Sequence, residues 1–169
     1  MPTLLLLRHA KSDWEGDLPD HDRPLGKRGV RAATAIGERM RESRLAPQLI
    51  LCSSSRRTVQ TLELIETALP EDARRAVERN LYLAGGEALL MRIAAVPQSV
   101  TSLLVIGHNP GVHDLATLLA GRPAKMVARL QEGFPTAALA VLDTGDTPWR
   151  SLGRREAEVL DIILPRELE

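Results

Sequence analysis

Short apolar runs alternate along the chain with longer segments in which apolar residues recur every three or four positions. Uninterrupted apolar runs occupy residues 4–7, 49–52 and 103–106, a pattern typical of strands that are buried on both faces. Later runs at 137–142 and 159–164 predict further strands. This alternation predicts an α/β fold in three α/β/α layers, with a mostly parallel central sheet and an antiparallel edge strand.

Helices are predicted between these strands. Four stripes at helical spacing indicate one helix each: Val30, Ala33, Ile36, Gly37 and Met40; Val59, Leu62, Ile65 and Leu69; Leu89, Leu90, Ile93 and Val96; Val112, Leu115, Leu118 and Leu119. Val127 and Leu130 indicate one more short helix, and residues 77–83 indicate a weak strand. The serines at 53–55 are suited to capping the second helix.

Polar residues stand where three of the predicted strands end. Arg8 and His9 follow the first apolar run, residues 53–57 follow the second, and His108 follows the third. The carboxyl ends of parallel strands share one edge of a sheet, and ligands bind in the crevice at that edge. We therefore expect these residues to converge in space although they lie far apart in sequence.

Composition limits the possible functions. The chain has 169 residues, equal numbers of basic and acidic residues and 2% aromatic residues. We expect one domain spanning 1–169, with no binding of nucleic acid or of an anionic membrane. The single cysteine, Cys52, excludes an internal disulfide and suits a reducing cytoplasm. The leucine run at 4–7 is too short to cross a membrane, and we expect a cytoplasmic monomer.

The converging residues favour binding of a phosphate group. The guanidinium groups of Arg8 and Arg57 can each hold phosphate oxygens with two hydrogen bonds. Two predicted helix starts, at 53–55 and 107–111, would add free N–H groups and partial positive charge. These features together predict a site for a dianion.

Two of the four histidines occupy this predicted site. Arginine neighbours disfavour imidazole protonation, so His9 should be neutral at pH 7 and able to act as a nucleophile. His108 could donate a proton to a phosphoryl oxygen once a dianion is bound. His21 lies in an acidic loop and His113 lies within a predicted helix, and we expect neither to take part in catalysis.

Other chemistries find less support in the sequence. Cys52 and Arg57 have four residues between them, which is the wrong spacing for a cysteine phosphatase loop, so Cys52 is interpreted as a buried apolar residue. His108, His113 and Asp114 could conceivably bind a metal, but paired-cysteine and HExxH spacings are missing. The sequence also lacks the glycine-rich nucleotide-binding motifs.

These motifs resemble those of the histidine phosphatase superfamily, which has the phosphoglycerate mutase-like fold, and most closely its SixA-like phosphohistidine phosphatases. The matching segments are LLLRHA at 5–10, DRPL at 22–25 with Gly29 after it, SSSRRTVQT at 53–61 and GHNP at 107–110. The third segment selects Arg57 rather than Arg56. Ser54 and Thr58 replace the usual proline and alanine of that segment.

The resemblance implies a role for each matched residue. His9 would be the nucleophile that becomes phosphorylated, Arg8 and Arg57 would bind the phosphoryl group, and His108 would complete the pocket. Further substrate contacts are expected from a second set of residues, namely Ser12, Arg23 and Asn109. No metal or organic cofactor is implied.

The general acid of the larger family members has no evident counterpart here. Residues 80–86, where those members carry a Glu or Asp, contain no carboxylate. Glu87 and Asp13 are the candidates, with Asp17 and Asp22 as further options. An imidazole leaves a phosphoramidate with little help, so the sequence favours a phosphohistidine phosphatase whose substrate is a phosphorylated protein. The alternatives are a phosphatase or mutase for small phosphorylated metabolites, and a non-catalytic phosphoprotein-binding module.

Overall fold

The computed structural model describes residues 2–14 and 16–168 and contains a seven-stranded mixed sheet. The strands lie in the order β3-β2-β4-β1-β6-β7-β5. Their bounds are β1 Thr3–Arg8, β2 Leu49–Ser53, β3 Arg74–Glu78, β4 Ser102–Gly107, β5 Ala120–Arg122, β6 Leu139–Asp143 and β7 Ala157–Ile163.

Helices cover both faces of this sheet, as predicted. The helices are α1 Lys27–Glu42, α2 Arg56–Ile65, α3 Gly86–Ala94, α4 Gly111–Leu119 and α5 Ala124–Glu132. Side chains alternate between the faces along β1: Leu5 and Leu7 pack with α1 and α2, whereas Leu4 and Leu6 pack with α3, α4 and α5. The four leucines have no solvent exposure, which explains why the first apolar run is uninterrupted. The three-layer prediction is confirmed.

The sheet is mostly parallel, and β6 is its antiparallel strand. It pairs in antiparallel fashion with β1 on one side and with β7 on the other. It therefore lies two strands inside the sheet rather than at the predicted edge, because β7 and then β5 follow it and run in the same direction as β1. The short strand β5 gives no sequence signal, since it is three residues long.

Two local predictions differ from the structure. Val30 is 41% exposed, and Gly29 instead lies buried at that end of α1. A side chain at Gly29 would overlap the carbonyl oxygen of Lys11, so the helix can approach the segment after β1 only through a glycine. The weak strand predicted at 77–83 is β3, which begins and ends earlier, since residues Arg79–Leu81 form a 3₁₀ turn.

The register of the central strands brings their ends together. Arg8 of β1 is level with Gly107 of β4, and Cys52 of β2 is level with Ile106 of β4. The residues that follow, His9, His108 and the start of α2, consequently leave the sheet at the same edge. Among the described residues, no helix is both long enough and apolar enough to cross a bilayer.

We predict that Gly29→Ala destabilises the protein although it improves helix propensity. Alanine in place of glycine within a helix should stabilise it by about 1 kcal/mol, but the added methyl group must displace the Lys11 carbonyl, and overpacking costs about 1–3 kcal/mol or more. We therefore expect the free energy of unfolding measured in urea to show a net fall of up to about 2 kcal/mol.

Gly153→Ala serves as the matched control for this variant. A methyl group there would come no nearer than 3.8 Å to any neighbouring atom, so stability should stay within about 0.5 kcal/mol of the wild type. A Gly29→Ala variant that is more stable than the wild type would contradict the steric explanation.

Candidate active site

A cavity of about 420 Å³ opens at the edge where β1, β2 and β4 end. Its walls come from the ends of β1 and β4, from the loop after β1, from α2, from the segment between β3 and α3, and from the segment before β6. The residues that line it are Arg8, His9, Lys11, Ser12, Trp14, Arg23, Arg57, Leu83, His108, Asn109, Pro135 and Thr136. Arg8, His9, Arg57 and His108 therefore converge, as the strand order predicts.

His9 is held in one tautomer. Its Nδ1 lies 2.7 Å from the Ala10 carbonyl oxygen, which can only accept a hydrogen bond, so Nδ1 carries the proton. Nε2 receives the Arg57 Nε–H group at 3.3 Å and therefore presents its lone pair. Burial lowers the pKa of His9 to about 4, and the charges of Arg57 and Arg8 act in the same direction. The ring is thus neutral at pH 7, with its lone pair on Nε2.

Arg57 connects the parts of the site. It lies in the first turn of α2, whose N-cap Ser55 accepts a hydrogen bond from the Thr58 N–H group. The residue is 3% exposed. Its guanidinium contacts His9, donates to His108 Nδ1 at 3.4 Å, and donates to the backbone and carboxylate oxygens of Asp20 at 2.7 and 3.1 Å. Arg56 is exposed, so the structure places Arg57 rather than Arg56 in the site.

His108 takes the opposite tautomer. Arg57 donates to its Nδ1, so the proton lies on Nε2 and is donated to Ser53 Oγ at 2.7 Å. Burial is the main cause that lowers the pKa of His108 to about 3, and the neighbouring His9 and Arg57 lower it further. The rings of His9 and His108 lie 5.2 Å apart between centroids. Without a bound anion, His108 is therefore neutral and accepts a hydrogen bond within the cavity.

Arg8 and Asn109 are hydrogen-bonded to the same backbone carbonyl group. Arg8 Nη1 and Asn109 Nδ2 both donate to the Phe134 carbonyl oxygen, at 3.1 and 2.8 Å. Arg8 Nε and Asn109 Oδ1 are buried, and neither has a hydrogen-bond partner in the part of the chain that the structure describes. Phe134 was not identified from the sequence, because it contributes only a backbone oxygen and no side-chain pattern indicates it.

Ser12 and Arg23, the other expected substrate contacts, also line the cavity. Arg23 Nη1 donates to Ser12 Oγ at 2.9 Å, and its guanidinium lies 3.6 Å from the centre of the Trp14 ring. Trp14 itself is 76% exposed. Arg23 is thus positioned between the loop after β1 and an aromatic side chain at the cavity mouth.

Asp20 and Tyr82 are site residues that sequence reasoning missed. The Asp20 carboxylate accepts hydrogen bonds from Arg57, Arg23 and the Tyr82 hydroxyl. The bond from Tyr82 is the leading cause that holds the pKa of Asp20 far below its usual range, so this carboxylate is ionised at neutral pH. Tyr82 also packs edge-on against His108, with ring centroids 5.5 Å apart. Asp20 lies in a loop with several acidic residues, and nothing in the sequence distinguishes it from them.

The proposed general acids lie elsewhere. Glu87 is in the first turn of α3 and Asp13 lines a neighbouring cavity beside the N-terminus of α1. Asp17 is exposed and Asp22 pairs with His21 at 3.5 Å. Within the described residues, no carboxyl group lines the catalytic cavity.

The remaining histidines and the cysteine have structural partners. His21 contacts Ser54 and Tyr82 at the outer side of the site, and His113 donates to the Leu130 carbonyl oxygen at 2.6 Å. Burial raises the pKa of the Cys52 thiol to about 12, so it is not a thiolate nucleophile. The described part of the chain contains no cluster of three or more potential metal ligands.

We predict that stability falls as the pH drops below about 6.5, the pKa of an unperturbed histidine. In that range His9 and His108 gain protons in the unfolded chain, whereas in the folded protein their pKa values are about 4 and about 3. Protonation therefore favours unfolding, by about 1.4 kcal/mol per pH unit for each histidine. Urea unfolding between pH 7.5 and pH 4.5 measures this slope.

Single variants show whether His9 and His108 cause this pH dependence of the free energy of unfolding. Each of the variants His9→Asn and His108→Asn takes up one proton fewer on unfolding. The slope of unfolding free energy against pH, between pH 6.5 and about pH 4, should therefore decrease by the contribution of one histidine. A wild-type stability that is constant over this range, or variants that keep the full slope, would show that the two rings are not neutral in the folded protein.

The chain is similar to known proteins in sequence and in fold. A family model of the histidine phosphatase superfamily (branch 1) matches residues 4–80. An uncharacterized protein of Mycobacterium tuberculosis is 40% identical over 139 residues, which cover 80% of this chain and 85% of that protein.

Two solved structures are similar over nearly their whole length. A protein from Nakamurella multipartitia that is assigned as phosphohistidine phosphatase SixA is 32% identical, with a TM-score of 0.85 and 97% and 96% of the two chains covered. Its counterpart from Agrobacterium tumefaciens is 30% identical, with a TM-score of 0.81 and coverage of 97% and 98%. On the strength of this shared sequence and fold, the chain belongs to the histidine phosphatase superfamily, among its SixA-like members.

Proposed function

We propose that this protein is a metal-independent phosphohistidine phosphatase that works through a covalent phosphohistidine on His9. The observation that carries the proposal is the His9 ring, which is neutral, has its lone pair on Nε2, and faces the guanidinium of Arg57 at 3.3 Å. A fixed neutral imidazole beside permanent cations is suited to attack an anionic phosphorus centre.

In the first step, the His9 Nε2 lone pair forms a bond to phosphorus while the bond from phosphorus to the substrate imidazole breaks. The departing imidazole takes a proton from solvent. Arg57 already donates to Nε2, so its N–H groups lie within reach of oxygens on a phosphorus bonded to that nitrogen. The unpartnered Nε of Arg8 supplies a second donor. Donors that stand ready for developing charge lower the barrier most effectively.

In the second step, water attacks phosphorus, the bond from phosphorus to Nε2 breaks, and the lone pair returns to His9. Water gives one proton to solvent and its oxygen leaves as part of inorganic phosphate. His9 keeps its Nδ1 proton throughout, because the Ala10 carbonyl oxygen holds it. A bound dianion would favour protonation of His108 at Nδ1, which lies beside Arg57.

The lack of a carboxylic acid that could protonate an alkoxide leaving group supports phosphohistidine as the substrate. No carboxyl group lines the described part of the cavity, and Asp20 at its border is held ionised by Tyr82, Arg23 and Arg57. An alkoxide leaving group benefits from a general acid by roughly 10²–10⁴-fold, whereas an imidazole leaves without one. The site therefore suits a phosphoramidate better than a sugar phosphate.

A protein substrate fits the mouth of the cavity. Trp14 and Leu83 both line it, and they are 76% and 56% exposed. Exposed apolar side chains at a polar opening are typical of surfaces that contact other proteins. The names assigned to the SixA structures point to the same substrate class.

Substitution of His9 tests whether this residue is the nucleophile. His9→Ala should lower the rate of phosphate release from phosphohistidine peptides to background, because no nitrogen remains to accept the phosphoryl group. Rapid acid-free quenching and ³¹P NMR of the wild type should reveal a phosphoramidate signal on the protein, and this signal should be missing in His9→Ala. Undiminished turnover in His9→Ala would refute the covalent mechanism.

Comparison of substrates tests the specificity. Under identical conditions the wild type should release phosphate from phosphohistidine peptides faster than from phosphoserine peptides and sugar phosphates. Transfer of phosphate between positions of a sugar, without release, would instead identify a mutase.

A further prediction concerns Asp20. Asp20→Asn removes a negative charge that contacts Arg57 and Arg23 but keeps an oxygen acceptor. Inorganic phosphate should therefore inhibit the variant at concentrations several-fold lower than the wild type, since one repulsive charge near the anion is lost. Inhibition constants measured with a chromogenic aryl phosphate check this. Weaker phosphate inhibition in Asp20→Asn would show that Asp20 serves mainly to orient Arg57.

A further inference from the structure

The N-terminus of α1 carries charges of the sign that its dipole disfavours. Lys27 and Arg28 stand in the first turn, which contains no acidic residue. Cations at this end of a helix are destabilising, and Arg28 and Arg31 add repulsion between like charges three positions apart. Residues that conflict with the dipole of their own helix and gain no structural contact in return are expected where a function requires them.

These arginines border a cavity of about 330 Å³ whose charged lining is entirely cationic. Lys11, Arg28, Arg31 and Arg166 contribute side chains to it, and no carboxylate from the described residues does so. None of the four forms an ion pair with any residue that the structure describes, whereas seven pairs between an arginine and a carboxylate occur elsewhere in that part of the chain. The chain as a whole has no net charge, so this cluster is a local excess.

The cationic cavity adjoins the catalytic one. Lys11, Pro135 and Thr136 line both. The contact between them is fixed, because Gly29 brings α1 against the backbone of Lys11, and the Gly26 N–H group donates to the Lys11 carbonyl oxygen at 3.1 Å. Lys11 is two residues from His9 in sequence, so an anion in this cavity lies beside the reacting phosphoryl group.

We propose that this cavity, the cationic subsite, binds an acidic side chain of the phosphorylated protein next to its phosphohistidine. The inference rests on the proposed function and extends it to substrate choice. The subsite is lined by Lys11, Arg28, Arg31 and Arg166, which together offer an acidic residue an uncompensated set of donors.

A polypeptide fits the two cavities better than a small metabolite. The catalytic cavity of about 420 Å³ is itself large enough for a phosphoryl group and a compact leaving group. A second anion bound beyond it belongs to a ligand that extends across Pro135 and Thr136, the residues between the two cavities. An extended peptide that carries an acidic residue beside the modified histidine has this form.

The test uses two peptides that carry a stable phosphonate analogue of phosphohistidine, one flanked by glutamates and one by glutamines. Each competes with a chromogenic aryl phosphate at low ionic strength, and inhibition constants are compared for wild type and for Arg28→Glu/Arg31→Glu. The wild type should bind the glutamate peptide about tenfold more tightly than the glutamine peptide, as expected for roughly one well-placed ion pair. The double variant should bind the two equally.

Arg41→Glu is the control, since it makes the same type of substitution, once rather than twice, at the exposed far end of the same helix. It should keep the preference of the wild type. The double variant should melt at a higher temperature than the wild type, because acidic residues suit a helix N-terminus, and Arg41→Glu at a lower one. Turnover of the aryl phosphate should stay within about twofold in Arg41→Glu, since this change does not reach the residues around His9.

A charge-swapped peptide completes the test. A version flanked by lysines should bind the double variant more tightly than it binds the wild type. Equal binding of the glutamate and glutamine peptides by the wild type, or a preference that survives in the double variant, would overturn the cationic subsite. Discrimination of a bisphosphate from a monophosphate without discrimination of the peptides would overturn its assignment to a polypeptide. Failure to release phosphate from genuine phosphohistidine peptides would instead refute the proposed function, and the inhibition constants would still report on the subsite.

Discussion

The chemistry of this site depends on one hydrogen bond, from His9 Nδ1 to the carbonyl oxygen of Ala10 at 2.7 Å. An imidazole has two possible neutral forms, and this bond selects the one with its lone pair on Nε2. With the other tautomer, an N–H group would face the guanidinium of Arg57, and the ring could neither accept that hydrogen bond nor attack phosphorus. Burial then keeps the selected form neutral by lowering the pKa of the ring to about 4.

The fold keeps this hydrogen bond in place by fixing the backbone after β1 from several sides. The Ala10 N–H group donates to Thr61 Oγ1 at 3.0 Å, and Thr61 in turn donates to the Arg57 carbonyl oxygen at 2.8 Å. Thr61 on α2 thus connects the backbone after β1, next to His9, to the helix that carries Arg57. On the other side, Gly29 brings α1 against Lys11. Rigid support of this kind keeps reacting groups aligned.

The sequence predicts those parts of the site that depend on strand ends, and fails for those that depend on loops. Arg8, His9 and His108 follow uninterrupted apolar runs, and the parallel register places such positions at one edge of the sheet. Asp20 lies in an acidic loop whose path is set by tertiary contacts with Arg57 and Tyr82. No periodicity or local motif encodes those contacts, so its role could not be inferred. Val30 is a second example. Helical spacing predicts which residues of α1 form an apolar stripe but not where that stripe begins, and Gly29 rather than Val30 is buried at this end of the helix.

Charge balance links Asp20 to the substrate. A guanidinium as buried as that of Arg57, 3% exposed, is costly without a partner, and Asp20 supplies that partner from the outer side. The contacts to Asp20 use Nη1 and Nη2, whereas Nε faces His9. A phosphoryl group on His9 can therefore meet Arg57 at its inner edge while Asp20 keeps the outer one. Four cations, of Arg8, Lys11, Arg23 and Arg57, line the cavity, and the carboxylate of Asp20 at its border offsets one of them. The remaining excess of positive charge suits an anionic ligand, and the carboxylate limits this excess without cancelling it.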